Sequence, residues 1–549
     1  MRVKIPLFAF LFISFFSCNK TEDPINPKPI DEDDKNPELT ISGFTDIIET
    51  TIVVSIGIVD DSTVETKVVH NGEEIATSAE KQFNVSINPY TIPVGSTDFI
   101  VTAKDAMGNE ISETHTVEIK HLLMTYEYDA SEKFTGQTNW VFFNSHEKTE
   151  LAALELEAGV HKIYTDEVIL ENSVYFSAVR NTFIEGDDSY KNLFVQTYEI
   201  PLGDTRSSKI YYESAPWENT VDVQLNGVPF VNGRSQYVAT GPNYATRGFD
   251  GDNSSTILNI SYETAEPIYI RTNSQGSTPF DGKKENYFYT KILPMEGNNT
   301  MVVESDAFVN AENNKKIDIP VHDAGTFRVI RYGSISEQDF MDSKLHTIYN
   351  VSEASDNPRD YVDLPIISDM DSYSSDISYS RNGVSFSIHA VEDLSLNTEM
   401  PDWTVGGKVN DTIFELTANN PEVDLYTIFY NNQDITPDYS RSHRLRWNYI
   451  VSVDSSGLKK IPRLPLPEAL VIEMNAPIYE STNEMEWSST LAVNYDKYKT
   501  HNEYLEYSVF NRNIAPNNKF TRTQMSFRNP DYSSKSAKEY SDEFSKMHW

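Results

Sequence analysis

Short runs of alternating apolar and polar residues, separated by turn-forming residues, constrain the fold of this chain most. Successive side chains of a strand point to opposite faces, so a period of two predicts strands with one buried and one solvated face. Residues 376–390 alternate apolar residues with serines on both sides of Asn382-Gly383, a pair that favours a type I′ hairpin turn. Asn71-Gly72 predicts a second hairpin of the same kind. The pattern indicates antiparallel sheets.

Composition agrees with a strand-rich chain of several domains. The sequence has 549 residues, 39% of them hydrophobic and 12% aromatic, which is enough for packed cores. The 31 tyrosines and 28 phenylalanines favour strands over helices. We therefore predict a mainly β protein, with antiparallel sandwich-type or barrel-type domains and few helices.

The only cysteine of the chain, Cys18, follows a secretory signal. Arg2 and Lys4 precede an apolar run over residues 5–16, which is shorter than the about 20 residues that cross a bilayer. Ser17, directly before the cysteine, is a small residue at a cleavage point. The segment resembles a bacterial lipoprotein signal, which implies cleavage before Cys18 and acylation of its thiol. An ordinary secretory signal with an unrelated cysteine is the alternative.

The residues after the cysteine indicate a surface location. Residues 20–23, Lys-Thr-Glu-Asp, resemble the export tag of surface-exposed lipoproteins of Bacteroidota. The resemblance implies a lipid anchor on the extracellular face of the outer membrane. The alternatives are that these four residues are simply part of the solvated, acidic, proline-rich linker predicted over residues 18–38, and that the anchor faces the periplasm.

Charge and the single thiol exclude some classes of function. The formal charge is −38, and loss of Arg2 and Lys4 with the signal gives −38 − 2 = −40 for the mature chain. Such a chain repels phosphate backbones, so we predict no nucleic acid partner. Acylation of Cys18 would leave no thiol for a disulfide or for catalysis.

Residues 39–120 resemble an Ig-like domain. The sequence VTAKDAMGNEISETHTVEI, residues 101–119, is similar to the last hairpin of bacterial Ig-like domains of the cadherin or PKD-like kind. The resemblance implies a β-sandwich that acts as a spacer. No family is recognised for residues 121–549.

The chain is therefore divided into five predicted segments. They are a lipoprotein signal peptide (1–17), an acidic linker (18–38), an Ig-like β-sandwich (39–120), a β-rich domain (121–330) and a β-rich domain with a C-terminal helix (331–549).

Three local patterns modify this strand-rich prediction. Ser336 followed by Asp339 predicts the start of a helix, and a second helix is predicted from Ser536. The proline-rich segment 459–474 is predicted to be a connection or an edge strand, because proline removes a ladder donor.

No pattern of residues assigns catalysis. The sequence has no metalloprotease, nucleophile-elbow or phosphate-loop motif, and a lone histidine such as His389 is predicted to be a packed or surface residue. A glycosidase needs only two carboxylates, which cannot be chosen among 83 acidic residues. We assign no catalytic residue and no cofactor.

Two acidic loops have the spacing of oxygen ligands for a structural calcium ion. The first contains Asp250 and Asp252, which we take as candidate metal ligands, and the second contains Asp369, Asp371 and Asp376. Turn formation is the alternative, since tight loops favour the same residue types.

Loop tryptophans are candidates for ligand binding. Trp217 and Trp403 follow prolines in loop-like sequence, whereas Trp140 and Trp447 lie in alternating runs and are predicted to be core residues. A flat ring can stack on the apolar face of a sugar. Packing of each loop tryptophan within its own domain is the alternative.

An arginine cluster precedes Trp447. Arg441, Arg444 and Arg446 could pair with nearby aspartates such as Asp434 or meet an anionic ligand.

The predicted location at the cell surface and the absence of catalytic motifs together indicate a binding protein. The predicted architecture resembles that of surface glycan-binding lipoproteins that work beside outer-membrane transporters. The resemblance implies a lipid-anchored protein that binds extracellular polysaccharide for capture and uptake, without catalysis. An adhesin or fimbrial-type protein that binds a partner protein, and a glycan hydrolase, are the alternatives.

Overall fold

The computed structural model shows a mainly β protein that divides into two compact units. It describes residues 35–129, 137–184, 187–207, 219–226, 235–241, 244–250, 256–262, 266–273, 288–294, 300–311, 313–341, 344–352, 360–391, 398–410, 412–435, 440–453, 455–480, 482–496, 503, 505, 521–529 and 532. The first unit comprises Met1–Asn88 and Gly95–Ile119, and the second comprises Pro89–Val94 and Lys120–Trp549. In the described part of the chain, no helix is long and apolar enough to cross a membrane.

The first unit is an Ig-like β-sandwich, which confirms the predicted fold. Its strands are β1 (Glu38–Ser42), β2 (Ile47–Ile48), β3 (Ile52–Val59), β4 (Val64–His70), β5 (Glu73–Ser78), β6 (Gln82–Ile87), β7 (Gly95–Asp105) and β8 (Glu110–Ile119). One sheet has the order β1-β3-β6 and the other the order β2-β8-β7-β4-β5. Phe99, Val101 and Ala103 alternate into the core with no exposed area, as the period of two predicts.

The predicted type I′ turns are present in both units. Asn71 and Gly72 have φ of 50° and 81°, and Asn382 and Gly383 have φ of 55° and 79°. Positive φ at both central residues matches the twist of the flanking strands.

Strands β9 to β36 and two helices make up the described part of the second unit. The first strands are β9 (His121–Tyr128), β10 (Gln137–Asn144), β11 (Glu150–Glu155), β12 (Gly159–Thr165), β13 (Ser173–Ile184), β14 (Asp187–Pro201), β15 (Asp204–Ser207), β16 (Asn219–Asn226), β17 (Ser235–Gly241), β18 (Tyr244–Asp250), β19 (Thr256–Tyr262), β20 (Ile268–Asn273), β21 (Phe288–Ile292), β22 (Thr300–Glu304), β23 (Val309–Asn310) and β24 (Asn313–Asp318). The remaining elements are β25 (Arg328–Ser334), α1 (Glu337–Met341), β26 (His346–Ser352), β27 (Tyr361–Ile366), β28 (Ser372–Arg381), β29 (Val384–Val391), β30 (Val405–Asn410), β31 (Ile413–Ala418), β32 (Leu425–Ile435), β33 (Ser442–Val451), β34 (Leu458–Pro462), α2 (Glu468–Met474), β35 (Glu486–Tyr495) and β36 (Arg522–Arg528).

A twelve-stranded sheet forms the centre of this unit. Its order is β11-β10-β13-β14-β33-β32-β35-β36-β29-β28-β25-β26. All neighbours are antiparallel except β14 and β33, which are parallel. Residue 330, the predicted domain boundary, lies inside β25, and strands from both sides of that residue belong to this one sheet.

Both faces of the large sheet contribute to apolar cores. One core contains Trp140 and Trp447, which are 9% and 0% exposed, so the prediction that both are core residues is confirmed. The three-stranded sheet β30-β31-β34 adds Phe414 to this core. A second core, on the opposite face, contains Leu491 and lies against the three-stranded sheet β12-β9-β15.

A smaller sandwich occupies residues 219–310. The sheets β19-β16-β22 and β18-β17-β20-β21-β23 enclose a separate core that includes Val223 and Ile270.

The two helices are short. Ser336 caps α1 as predicted, because its Oγ accepts a hydrogen bond from the Asp339 N–H at 3.0 Å. The apolar spacing of Phe340, Leu345 and Ile348 predicts a helix that continues to Ile348, but α1 ends at Met341 and Ile348 belongs to β26. The proline-rich segment provides the edge strand β34 as predicted, but its last seven residues form α2 instead of a connection. This helix begins after Pro467, so no proline lies inside it. The helix predicted from Ser536 lies outside the described residues.

We predict that Gly43→Ala destabilises the first unit more than Gly108→Ala. Both glycines have positive φ, 105° and 99°, so either alanine strains the backbone by about 1 to 2 kcal/mol. Only at Gly43 would the new Cβ lie 2.5 Å from the Val53 carbonyl oxygen, which adds about 1 to 3 kcal/mol. Hydrogen exchange of first-unit peptides in the whole protein measures the difference. Equal protection in the two variants would contradict the prediction.

Candidate functional site

One face of strands β25, β28, β29 and β36 carries polar side chains on a rigid sheet. The opposite face of the same strands is apolar and contributes Val329, Ile377, Phe386 and Met525 to the core. We define the polar face by nine side chains that share it with Ile330, Val391 and further serines, namely Arg328, Tyr332, Asp376, Ser378, Ser387, His389, Arg522, Gln524 and Arg528. Most of them are half-buried, so the face is partly open to solvent.

The hairpin turn at Asn382-Gly383 sets the register of this face. Because Arg381 pairs with Val384 across the turn, Asp376 pairs with His389. Sequence reasoning recognised the turn but missed this pair, although counting outward from the turn would have found it. His389 in turn pairs with Arg522 on β36, a contact that no local pattern encodes.

Asp376 is the electrostatic centre of the polar face. Its Oδ1 lies 2.7 Å from the Nδ1 of His389, and the hydroxyl of Tyr332 is hydrogen-bonded to it. Burial alone would raise the pKa of Asp376. The bonds from His389 and Tyr332 and the charge of Arg522 outweigh burial, so the pKa lies below its usual range. Burial, followed by the Asp376 charge, raises the pKa of Tyr332, which is therefore neutral.

The polar face presents several kinds of hydrogen-bonding group. In the described strands β25, β28, β29 and β36, Asp376 is the only carboxylate. The face does offer hydroxyls, an amide, guanidinium groups and the half-buried ring of Tyr332.

Of the two predicted ligand-binding tryptophans, Trp403 is described by the structure and does not belong to this site. Trp403 is only 7% exposed and is part of the core, and its indole N–H donates to Glu422 Oε1 at 2.7 Å. The expectation that Trp403 is an exposed stacking platform is therefore corrected in favour of internal packing. Trp217 lies outside the described residues and stays a prediction.

The structure describes only one of the two acidic loops that were candidates for calcium binding. Asp369 pairs with Lys291 at 2.8 Å, and Asp376 belongs to the strand of the polar face, so these residues do not gather around an ion. Asp250 ends β18, and its side chain, like all of Asp252, lies outside the described part of the chain. Among the described residues, no three histidine, aspartate or glutamate side chains are grouped to hold a metal.

The arginine cluster near Trp447 is partly paired within the protein. Arg441 donates to Asp434 at 3.0 Å, as the first of the two sequence interpretations predicts. This pair is exposed at 49% and 45% of its side chains.

A second polar cluster joins β13, β14 and β34. Ser173 donates to Glu199 at 3.0 Å and lies 3.2 Å from His146, while Lys459 donates to Glu199 at 2.5 Å. Burial raises the pKa of Glu199, but Lys459, His146 and Ser173 together lower it below its usual range. Because the Ser173 proton already goes to Glu199, His146 is not placed to activate Ser173 as a nucleophile. The hydrogen bonds of this cluster therefore connect β13, β14 and β34.

Comparison with known proteins gives only distant likenesses. No protein-family model matches the chain, and no curated protein matches it. The Bacillus anthracis TIE protein matches at 10% identity, over 63% of this chain and 70% of that chain, with a TM-score of 0.17. SGBP-B of the Bacteroides ovatus mixed-linkage glucan utilization locus, solved with a mixed-linkage heptasaccharide, matches at 9% identity over 61% and 93%, with a TM-score of 0.14.

A third similar structure, of a 1.5-MDa bacterial ice-binding adhesin, has 13% identity over 48% of this chain and 97% of that chain, with a TM-score of 0.14. Likenesses at these TM-scores carry no argument about what this chain does. The fold and the site themselves define its class, which is a mainly β protein with an N-terminal Ig-like sandwich and a polar sheet face.

We predict that Asp376→Asn lowers the free energy of unfolding by about 1 to 2 kcal/mol at pH 7. The folded-state pKa of Asp376 is depressed, so its stabilisation is present above the ordinary aspartate pKa of about 4 and is lost as the pH falls through the folded value. The difference between the two proteins should therefore shrink in acid. Urea unfolding at pH 7 and at about pH 3 measures it.

Asp318→Asn is the matched control. Asp318 is 86% exposed and lies 3.4 Å from Lys316, and a pair this exposed contributes little. An equal loss in the two variants at pH 7 would contradict the assignment of Asp376.

Proposed function

We propose that this protein is a lipid-anchored protein of the outer cell surface that binds extracellular glycan for capture and uptake, without catalysis. Its partners are then the outer membrane, through the acyl chains on Cys18, a polysaccharide, and an outer-membrane transporter that takes up the captured material. The observation that carries the binding role is the polar face beside the ring of Tyr332.

The polar face suits a sugar because it combines one aromatic ring with many hydrogen-bonding groups. A pyranose has apolar C–H faces that stack on aromatic rings and hydroxyls that need donors and acceptors. Tyr332 supplies the ring, Asp376 the acceptor, and Arg522 and Gln524 the donors.

The sheet supports these groups in advance of binding. Strands β28 and β29 are paired along eight positions, and their apolar faces are anchored in the core through Tyr379 and Phe386. Groups that are already held in place lose little conformational entropy on binding. A chain that runs across the strands would meet Tyr332, Asp376, His389 and Arg522 in turn.

We predict that Tyr332→Ala abolishes retardation of the protein in affinity gels that contain the bound polysaccharide. The substitution removes the stacking surface and the hydroxyl bonded to Asp376, but it removes no backbone group of the strand pairing. Tyr361→Ala is the matched control, because Tyr361 is also half-buried but lies on β27, in another sheet. Wild-type retardation of Tyr332→Ala would contradict the proposed site.

The same assay separates the alternatives. An adhesin would capture a partner protein and ignore the polysaccharide, and a hydrolase would shorten the polymer during incubation. Either result would replace the proposed function.

We also predict that Cys18→Ala abolishes incorporation of a tagged palmitate and releases the protein from the membrane fraction. Several acyl chains, at about 0.8 kcal/mol for each buried CH₂, anchor a protein stably, and the variant would have none. Labelling in growing cells followed by fractionation measures both effects. An unlabelled wild-type chain would remove the proposed location but not the binding role.

A further inference from the structure

The four strands of the polar face are basic, in contrast to the rest of the chain. The whole sequence has a formal charge of −38. In these strands Asp376 is the only acidic residue, whereas the arginines are Arg328, Arg331, Arg381, Arg522 and Arg528. Positive charge is therefore concentrated where the proposed ligand binds.

The register places three of these arginines on the polar face. Arg328 pairs with Ser378, Arg522 pairs with His389, and Arg528 lies on the same side of β36 as Arg522, six residues further along the strand. Arg331 is on the opposite side, where its guanidinium lies 4.1 Å from the ring of Tyr373.

The arginines of the polar face have N–H donors that are available to an anion. Among the ion pairs of the described residues, none joins Arg328, Arg522 or Arg528 to a carboxylate within 4.0 Å, although the charge of Arg522 acts on Asp376 at longer range. The Nε of Arg522 is buried and has no hydrogen-bond partner among the described groups. Arg441, by contrast, already holds Asp434 with both carboxylate oxygens at 3.0 Å. Because the Nε atom of Arg522 is shielded from solvent, an oxyanion of a ligand would bind the terminal N–H groups of its guanidinium instead.

Guanidinium groups select for planar or tetrahedral oxyanions. Their rigid N–H fork matches a carboxylate or a sulfate with two parallel hydrogen bonds, and such charge-assisted bonds are stronger than bonds to neutral hydroxyls. Elsewhere the acidic surface repels a polyanion, so such a ligand would be directed to the polar face.

We infer that the ligand of the polar face is an anionic polysaccharide, whose sugars carry carboxylate or sulfate ester groups. This inference rests on the proposed function and specifies its ligand class. Tyr332 stacks on a sugar ring, and Arg522, with Arg328 or Arg528, binds the oxyanions of the same chain.

The test measures binding of the mature protein to four immobilised probes. These are polygalacturonate, which carries carboxylates, a carrageenan, which carries sulfates, a neutral mixed-linkage β-glucan, and single-stranded DNA. We expect binding to one or both acidic polysaccharides, at least about tenfold weaker binding to the neutral glucan and to DNA, and weaker binding at 0.5 M than at 0.05 M salt. The comparison of the first two probes identifies the anionic group.

Substitutions assign the effect to the polar face. Arg522→Gln should weaken binding to the acidic polysaccharide by about tenfold or more, since a charge-assisted contact is lost. Arg522→Lys should give an intermediate loss, because the charge remains without the fork. Arg441→Gln, which removes an exposed arginine that is already paired, should change binding by less than about twofold. If Arg522→Gln melts early, the exposed Arg528→Gln provides the same comparison.

The outcomes distinguish this inference from the proposed function. Binding of the neutral glucan that depends on Tyr332, with none to the acidic polysaccharides, would overturn the anionic ligand and keep the glycan-binding role. Binding to none of the polysaccharides would overturn both. Equal binding to DNA would show a general polyanion surface and overturn the assignment to sugars.

Discussion

The parallel pairing of β14 with β33 is the contact on which the second unit depends. It joins Tyr190 through Tyr198 to Ser442 through Ile450. The indole N–H of Trp447 donates to Thr197 across this pair at 2.7 Å, where both groups are buried. Without this pairing, the early strands β10, β11, β13 and β14 would lose their connection to the rest of the large sheet. Long-range strand pairing is slow to form but, once formed, it makes one rigid support.

One face of that sheet changes from apolar to polar between two neighbouring strands. Val493 and Tyr495 of β35 lie in the second core, whereas Gln524 and Arg522, their respective partners on β36, belong to the polar face. The period of two makes this register strict, since a slip by one residue would turn the arginines into the other core. The strand register therefore fixes both which residues are buried in the apolar core and which residues lie on the polar face.

Local patterns predicted part of this site, and tertiary contacts decided the rest. The turn at Asn382-Gly383 contains the information that Asp376 faces His389. Tyr332 and Arg522 join that pair from strands far away in the sequence, and no periodicity encodes which strands become neighbours. For Trp403, the local sequence pattern gave a wrong prediction. Its loop-like sequence suggested exposure, but Glu422, nineteen residues later, accepts its N–H and the core covers its ring.

The amino-acid sequence by itself determined the strand-rich class, the β-sandwich of the first unit, the turn residues and the cap of α1, because these depend on side-chain period and on the φ preferences of neighbouring residues. Only the tertiary structure decided that strands from both sides of residue 330 share one sheet and that arginines collect on one face of an acidic chain. Strand order is set by burial and hydrogen bonding between distant segments. Those energies belong to the folded arrangement and leave no local signature in the sequence.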